Sequence, residues 1–270
     1  MPIVKEPRVV ITGAGSGLGR AFAERFATMG AKIVIADVHE AGAAETRDIV
    51  ERRGVKAWCV RCDVSKAAEV EALAARANEH MGGADVVVNN AGVAVAGPVG
   101  DVPLSDWEWI FAVNLWGVIY GCHTFAPAMK KQRSGHFINV ASLAAIAQAP
   151  NMGPYNVTKA GVVALSETLA SELRPFGVGV TVVCPSFFQT NLLDGSRSHG
   201  VDATRVVEKL MKKSPVQAED VAQHAIDAAK RDQLYALPHN EGKLVWAMKR
   251  IAPQLYHQKI LARASKRVLG

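Results

Sequence analysis

The 270-residue sequence lacks several features that mark particular classes of protein. Four cysteines are too few to predict a disulfide framework, and they suit a chain kept in a reducing compartment. No apolar run reaches the length of a membrane span, and the opening segment MPIVKEPRVV lacks the apolar core of a secretory signal. We therefore expect a cytoplasmic protein.

Two of the cysteines, Cys59 and Cys62, have a CxxC spacing. The surrounding segment KAWCVRCDV has the pattern of a strand, and no second pair of ligands follows it. We expect neither a zinc site nor a redox pair here, and no metal site elsewhere.

A basic excess on the body of the chain is also missing. The net charge is +6, but residues 241–270 alone hold seven basic side chains and one acidic one, so the first 240 residues are neutral overall. A nucleic-acid-binding domain needs its basic excess on the folded body. We therefore expect no nucleic-acid partner.

Short β-branched runs alternate regularly with helical patterns. This alternation predicts an α/β fold in which parallel strands are joined by right-handed helical crossovers. The strands are apolar throughout, which indicates a sheet covered on both faces. Strands are predicted at 9–13, 32–37, 56–60, 85–90, 136–142, 179–185 and 234–238, and helices at 18–29, 41–53, 66–80, 105–131, 155–175 and 219–231. No linker divides the body, so residues 1–240 are predicted to form one dinucleotide-binding and catalytic domain.

A glycine cluster, TGAGSGLG at residues 12–19, follows the first strand and opens the first helix. Glycines at such a turn let the backbone approach a pyrophosphate held at the helix N-terminus. Asp37 ends the second strand, where a carboxylate accepts the ribose hydroxyls of an adenosine and repels a 2′-phosphate; a helix N-cap is the other interpretation. Neither Ser16 nor Val38 is basic, so we expect NAD rather than NADP.

Tyr155 and Lys159 are one helical turn apart, and Ser142 precedes them by thirteen residues. A cation about 4 Å from the phenol contributes roughly 4 kcal/mol at an effective dielectric near 20, which would lower the pKa of Tyr155 by about 2 to 3 units. The phenol would then act as a general acid or base near neutral pH. Taken alone, the pair also fits an ordinary surface helix.

From residue 8 to about residue 238 the chain resembles the classical short-chain dehydrogenase/reductases. That resemblance implies a three-layer Rossmann fold with a doubly wound sheet of mostly seven parallel strands, and a homodimer or homotetramer. It is carried by seven motifs in order: TGAGSGLG (12–19), Asp63 with Val64, NNAG (89–92), Asn114, Ser142, YNVTK (155–159) and CPSFFQT (184–190).

The resemblance also implies a catalytic set of four residues. Tyr155 would be the general acid/base, and Lys159 would lower its pKa and hold the nicotinamide ribose. Ser142 would donate a hydrogen bond to the substrate oxygen, and Asn114 would hold a water against Lys159. The implied cofactor contacts are Gly13, Ser16, Gly17 and Leu18 at the pyrophosphate, Asp37 at the adenosine ribose, Asp63 and Val64 at the adenine, Asn90 and Gly92 at the middle, Tyr155 and Lys159 at the nicotinamide ribose, and Pro185 and Thr190 at the nicotinamide end.

One position departs from the family pattern. The family has Pro-Gly after the sixth strand, whereas here Pro185 is followed by Ser186. Glycine supports backbone conformations that serine meets less easily. The geometry of this loop is therefore open at the level of sequence.

Residues 186–218 form the segment that covers the substrate in this family. Its apolar residues, with others near the site, favour a hydrophobic secondary alcohol or ketone over a sugar, although each singly also fits core packing. His199 is predicted to be a lone, solvated side chain. The apolar residues are Phe187, Phe188, Leu192, Leu193 and Met211, together with Val93, Val95, Ala144, Ile146, Ala147 and Met152.

Residues 241–270 form a basic amphipathic tail. Leu244, Met248, Ile251 and Leu255 recur at helical spacing, and Pro253 should interrupt the helix. The tail is predicted to dock on another subunit, to lie on an anionic membrane, or to cap the substrate pocket.

Together these features predict an NAD(H)-dependent oxidoreductase that interconverts a hydrophobic secondary alcohol and its ketone. Three alternatives stay open: a 3-oxoacyl-thioester ketoreductase acting on carrier-bound chains, a membrane-surface dehydrogenase of sterols or lipids, and a cofactor-sensing protein without turnover.

Overall fold

The computed structural model describes residues 3–200 and 209–261. Its centre is a parallel sheet of seven strands in the order β3-β2-β1-β4-β6-β7-β9, and a two-stranded parallel pair, β5 and β8, lies apart from it. The strands are β1 Arg8–Thr12, β2 Lys32–Asp37, β3 Ala57–Arg61, β4 Val86–Asn89, β5 Val95–Ala96, β6 Gly135–Val140, β7 Val178–Val183, β8 Arg197–Ser198 and β9 Tyr235–Ala236. The predicted seven-stranded parallel sheet is confirmed.

Helices cover both faces of this sheet. Alternate strand residues enter two separate cores: Val9 and Ile11 pack on the side of α1, α2 and α8, while Val10 and Phe137 pack on the side of α3, α5 and α7. This arrangement is the predicted three-layer Rossmann fold. The helices are α1 Gly17–Ala27, α2 Glu40–Glu51, α3 Ala67–Met81, α4 Leu104–Phe111, α5 Gly117–Gln132, α6 Ala144–Ala147, α7 Gly153–Leu173, α8 Ala218–Lys230, α9 Asn240–Ile251 and α10 Pro253–Leu255.

α4 and α5 are joined by a π-helical turn, Ala112–Trp116, into one helical stretch of 29 residues. Contrary to the expectation from sequence, this stretch is long and apolar enough to cross a membrane by length and composition. Core helices of soluble proteins pass the same test, and here Val118, Phe125 and Met129 are buried in the core beside the sheet. Trp116 is half-exposed on the other side.

The tail docks on its own chain through a different face from the predicted one. Val245 and Trp246 pack against the core, and Arg250 bonds to Glu167 at 2.9 Å. Tyr256 is buried, whereas the predicted apolar stripe lies mostly in solvent, with Leu244, Ile251 and Leu255 exposed. The amphipathic pattern missed this because the docked face is set by residues outside α9: Trp246 packs edge-on against Tyr235 of β9, and the partner of Arg250, Glu167, is distant in sequence.

Pro253 interrupts the tail helix as predicted, since α9 ends at Ile251. The last basic residues of the tail, Arg263, Lys266 and Arg267, lie outside the described residues.

A buried polar pair joins two central strands of the sheet. Asn89 of β4 donates to the side chain of Asn139 of β6 at 2.8 Å, and Asn139 donates to Ser166 of α7 at 3.0 Å. Gly121 of α5 lies directly above the pair, so that a Cβ there would sit 2.0 Å from the Asn89 side-chain oxygen. The close helix–sheet approach therefore requires glycine at this position.

We expect Gly121→Ala to lower the free energy of unfolding by about 1–3 kcal/mol, because the methyl group overpacks the buried pair. Urea denaturation measures this change. The matched control is Gly100→Ala, where an added Cβ meets no atom within 4 Å. Equal stability of the two variants would contradict the close approach.

Candidate active site

Strands β1, β4, β6 and β7 all end at one edge of the sheet, and the candidate residues collect there. This follows from the parallel topology, which places the carboxyl ends of the strands and the turns after them side by side. Gly13 follows β1, Asn90 follows β4, Ser142 follows β6 and Pro185 follows β7. Helix α7 carries Tyr155 and Lys159 to the same edge.

Lys159 anchors α7 to this edge. Its amine, fully enclosed, donates a hydrogen bond of 2.9 Å to the carbonyl oxygen of Val140, the last residue of β6. The same amine lies 5.8 Å from the centre of the Tyr155 ring. The structure thus places the phenol and the amine side by side, as their spacing predicts.

The electrostatic expectation for Tyr155 is wrong in this structure. Burial raises the pKa of Tyr155 to about 12, although the Ser142 hydroxyl acts in the opposite direction. Burial also lowers the pKa of Lys159 to about 8, with the Cys184 thiol opposing it. Both shifts have one cause: the pocket penalises the charged form of each group more than either neighbour favours it.

Ser142 lies in the short turn that leads from β6 into α6. Its hydroxyl accepts a hydrogen bond of 3.1 Å from the amide of Ala144, and its proximity to Tyr155 is what moderates the phenol's pKa. The tail holds the far end of this turn, because Lys249 donates to the Ile146 carbonyl at 2.8 Å and Tyr256 donates to the Ala147 carbonyl at 2.9 Å. The tail therefore packs beside the catalytic end of the site.

Asn114 lies in the π-helical turn between α4 and α5 and is fully buried. Its side chain holds the backbone of Val93 at both polar groups, accepting from the amide at 2.8 Å and donating to the carbonyl at 2.9 Å. A Cβ on Gly92 would lie 3.3 Å from the Asn114 oxygen and 3.5 Å from the Lys159 amine. The structure thus brings Asn114, Gly92 and Lys159 together, at a π-bulge of the kind often found at functional sites.

In the glycine turn, backbone segments approach each other so closely that side chains would not fit. Gly13 has a φ of +63°, and a Cβ on it would lie 2.8 Å from the Cα of Ala91. A Cβ on Gly19 would lie 2.1 Å from the Gly13 carbonyl oxygen. The Asn90 side chain donates to the carbonyls of Thr12 and Gly13 at 2.9 and 3.0 Å, so it positions the turn.

Other predicted contacts also reach this turn. Ser16 is the N-cap residue of α1, Leu18 is buried, and a Cβ on Gly17 would lie 3.0 Å from the Thr190 hydroxyl. Thr190 therefore lies against the glycine turn, which is the predicted pyrophosphate site.

Asp37 ends β2 beside the glycine turn and is 9% exposed. Its carboxylate accepts the amide of Gly15 at 2.7 Å and the amide of His39 at 2.9 Å. These two bonds orient the carboxylate and leave its remaining lone pairs for hydroxyl groups. The exposed neighbour Val38 adds no positive charge.

The two residues predicted at the adenine follow β3. Asp63 accepts from the amide and the hydroxyl of Ser65 at 3.1 and 2.7 Å, which fixes the loop. Val64 is buried, and a Cβ on Gly117 would lie 2.8 Å from one of its methyl groups.

Ser186 fits the loop after β7, although the family has glycine at this position. Its backbone is not in the positive-φ region, so serine is accommodated without strain. The peptide between Pro185 and Ser186 is held by hydrogen bonds on both sides.

The Tyr155 ring lies in an apolar cluster. Five of the apolar residues predicted near the substrate belong to this cluster: Val93, Val95, Ala144, Met152 and Leu192. Two others, Phe188 and Ile146, pack into the cores beside the sheet instead. Phe187 is partly exposed. Met211 is buried outside these clusters, and the side chain of Leu193 is not among the described ones.

Sequence reasoning missed Trp107, Trp109 and Phe111, three aromatic residues within five positions just before Asn114. That density of aromatic residues was the available signal.

His199 is not a lone solvated residue, which corrects the expectation. Its Nε2 lies 2.6 Å from one oxygen of the buried Asp106 carboxylate, and Arg197 donates to the other oxygen at 2.6 Å. The Arg197 guanidinium also stacks 3.8 Å from the centre of the Trp109 ring. Because β8 pairs with β5, this cluster holds residues 197–199 beside Val95 and Ala96.

The comparisons with known proteins agree with this geometry. The sequence model of the short chain dehydrogenase family matches residues 7–200. The chain belongs to the short-chain dehydrogenase/reductase family. "Probable oxidoreductase EphD" of Mycobacterium tuberculosis is 35% identical over 255 residues, which cover 91% of this chain and 43% of that protein. The chain thus spans less than half the length of these curated relatives.

Two solved structures carry bound nicotinamide dinucleotides. A short-chain dehydrogenase/reductase from Burkholderia phymatum in complex with NAD is 36% identical, with a TM-score of 0.89 over 94% of this chain and 96% of that one. A short-chain dehydrogenase from Sphingobium yanoikuyae in complex with NADPH is 25% identical, with a TM-score of 0.78 over the same shares. The cradle at Gly13 and Gly19 and the oriented carboxylate of Asp37 fit such a dinucleotide.

We expect Asp106→Asn to release the substrate-covering segment, because the uncharged amide cannot hold both Arg197 and His199. Limited trypsin digestion should then cut after Arg197 at least about tenfold faster. The exposed residue Asp101, replaced by Asn, is the control. Equal cleavage in both variants would show that the cluster does not hold the segment.

Proposed function

We propose that this protein is an NAD(H)-dependent oxidoreductase that interconverts a hydrophobic secondary alcohol and its ketone. The observation that carries the proposal is the burial of Tyr155 in an apolar cluster, beside Lys159 and Ser142, at the sheet edge where the glycine turn lies. The family supports oxidoreductase chemistry.

The chain's own residues handle the proton and the orientation of substrate. Tyr155 takes the hydroxyl proton during oxidation and returns it during reduction. Ser142 donates a hydrogen bond to the reacting oxygen, and Lys159 holds the ribose and favours the phenolate when charged. Asn114 supports Lys159 through a water in this proposal. When bound, the nicotinamide supplies or accepts the hydride.

The preference for NAD over NADP rests on Asp37. Its buried carboxylate stands where the adenosine ribose of a dinucleotide bound at the glycine turn would lie, and it repels a 2′-phosphate. The NAD complex of the Burkholderia relative favours the same choice, while the NADPH complex shows that the family uses both.

The hydrophobic substrate class rests on the apolar wall around Tyr155. Trp107, Trp109, Met152 and Leu192 extend this wall, which suits an apolar substrate better than a sugar, whose pocket needs several fixed polar groups. A carrier-bound 3-oxoacyl chain and a sterol or lipid also suit an apolar wall, so these stay as alternatives for the substrate panel below.

The proposal also covers the oligomeric state of the protein and its location in the cell. Trp116 of the turn after α4 and Val157 of α7 are both half-exposed apolar side chains. We assign these helices to a homodimer or homotetramer interface, and the protein to the cytoplasm.

We expect Tyr155→Phe to lower turnover by roughly 100- to 10,000-fold while NADH still binds. The aromatic ring remains in the variant, but the hydroxyl group that transfers the proton is removed. NADH formation from NAD and a panel of aliphatic, aryl, steroid and 3-hydroxyacyl alcohols measures this. Retained turnover in the variant would assign the acid/base role to another group. No turnover of any alcohol by a wild-type protein that binds NADH would favour the cofactor-sensing alternative.

We expect Asp37→Ala to narrow the preference for NAD over NADP by at least about tenfold, because the repulsion of a 2′-phosphate is removed. Dissociation constants of NADH and NADPH measure it. The control is Glu40→Ala, which removes an exposed carboxylate three residues away. An unchanged ratio in the Asp37 variant would make that residue a structural cap only.

We expect alcohol oxidation to rise with pH up to about pH 12, whereas ketone reduction should stay level until the pH approaches that value. Oxidation needs the phenolate of Tyr155, whose pKa is raised, whereas reduction needs the phenol. In Lys159→Met oxidation should be slower below about pH 8, because the lysine, with a pKa of about 8, favours the phenolate as a cation only there. An oxidation profile that does not rise with pH, or an identical profile in the variant, would contradict this assignment.

A further inference from the structure

The row of backbone hydrogen bonds that joins β7 to β9 is continued, past the end of the strands, by a bond to a side chain. Val182 donates its amide to the Leu234 carbonyl at 2.7 Å, and Cys184 donates to the Ala236 carbonyl at 2.9 Å. The next amide in this series belongs to Ser186, and a continued ladder would pair it with residue 238. Instead, Ser186 donates to Nδ1 of His239 at 3.1 Å.

The other polar group of the same peptide bond is also held. The Pro185 carbonyl accepts the amide of Leu143 at 2.8 Å, and Leu143 directly follows Ser142. The Pro185–Ser186 peptide is therefore fixed from β6 on one side and from His239 on the other. This peptide leads into the loop that ends at Thr190, against the glycine turn.

The His239 side chain is buried at this position. It is 4% exposed, and within the described parts of the chain its Nε2 has no hydrogen-bond partner. Burial lowers its pKa, with Glu241 and the Phe187 backbone opposing the shift; His224 of α8 is the other titratable group that interacts with it. Because the Ser186 amide donates to Nδ1, that nitrogen carries no proton, so the ring is neutral with its proton on Nε2.

The start of α9 strengthens this link. His239 is the N-cap residue of α9, and Gly242 in its first turn packs against the Leu143 side chain, where an added Cβ would lie 3.6 Å from a methyl group. The segment from His239 to Gly242 therefore contacts the loops after both β6 and β7.

We propose that His239 is a positioning residue of the active site, which fixes the Pro185–Ser186 peptide at the nicotinamide end and, through Leu143, the Ser142 turn. The inference rests on the proposed function, since it assumes that the nicotinamide binds beside this peptide.

A pair of variants of nearly equal shape separates the hydrogen bond from the packing. Asn at position 239 keeps an acceptor near the place of Nδ1, whereas Leu removes it. We expect His239→Leu to speed hydrogen exchange of the Ser186 amide in the free protein, and to lower kcat/KM, each by about tenfold. His239→Asn should restore most of both. The exposed residue His257, replaced by Leu, is the control.

The outcomes are distinguishable. Unchanged exchange and kinetics in His239→Leu would overturn the inference, as would an Asn variant no better than the Leu variant, which would assign His239 to packing alone. If the wild-type protein bound no dinucleotide, the proposed function would fail, while the exchange data would still test the contact. Should the Leu variant not fold, a scalar coupling between the Ser186 amide nitrogen and Nδ1 in the wild-type protein decides the matter. Its presence would support the contact, and its absence would overturn it.

Discussion

The hydrogen bond from the Lys159 amine to the Val140 carbonyl is the contact on which the site depends. It ties α7 to the end of β6, and two residues later the chain reaches Ser142. The spacing of Tyr155 and Lys159 along α7 then decides where the phenol lies. Burial of this pair also sets its chemistry, because the enclosure that holds the amine raises the pKa of the phenol and lowers that of the lysine.

The loops around the site are held by side chains that bond to, or pack against, the backbone of their neighbours. Asn90 ties the loop after β4 to the glycine turn, and Thr190 brings the loop after β7 against the same turn. At the catalytic end, Lys249 and Tyr256 of the tail hold the carbonyls of α6. The loops after β4 and β7 therefore both meet the glycine turn, while the tail holds α6.

Much of the fold and of the candidate site could be predicted because the signals are local. Short apolar runs between helical patterns identify the strands of the sheet, and helical spacing puts Tyr155 beside Lys159. What failed depends on contacts distant in sequence. Asp106 lies about ninety residues before Arg197 and His199, so their cluster has no local pattern. The sign of the pKa shift at Tyr155 depends on burial, which spacing does not report. The docked face of α9 likewise depends on Glu167 of α7, which bonds to Arg250.

Direct hydride transfer is the central claim, and isotope tracing tests it most directly. A secondary alcohol of the hydrophobic class, carrying deuterium on its carbinol carbon, would be incubated with the protein and NAD in ordinary water. Mass spectrometry of the recovered dinucleotide should show one deuterium in each NADH formed, since the hydride passes from carbon to nicotinamide without exchange. NADH without deuterium, or ketone formed without NADH, would contradict the account.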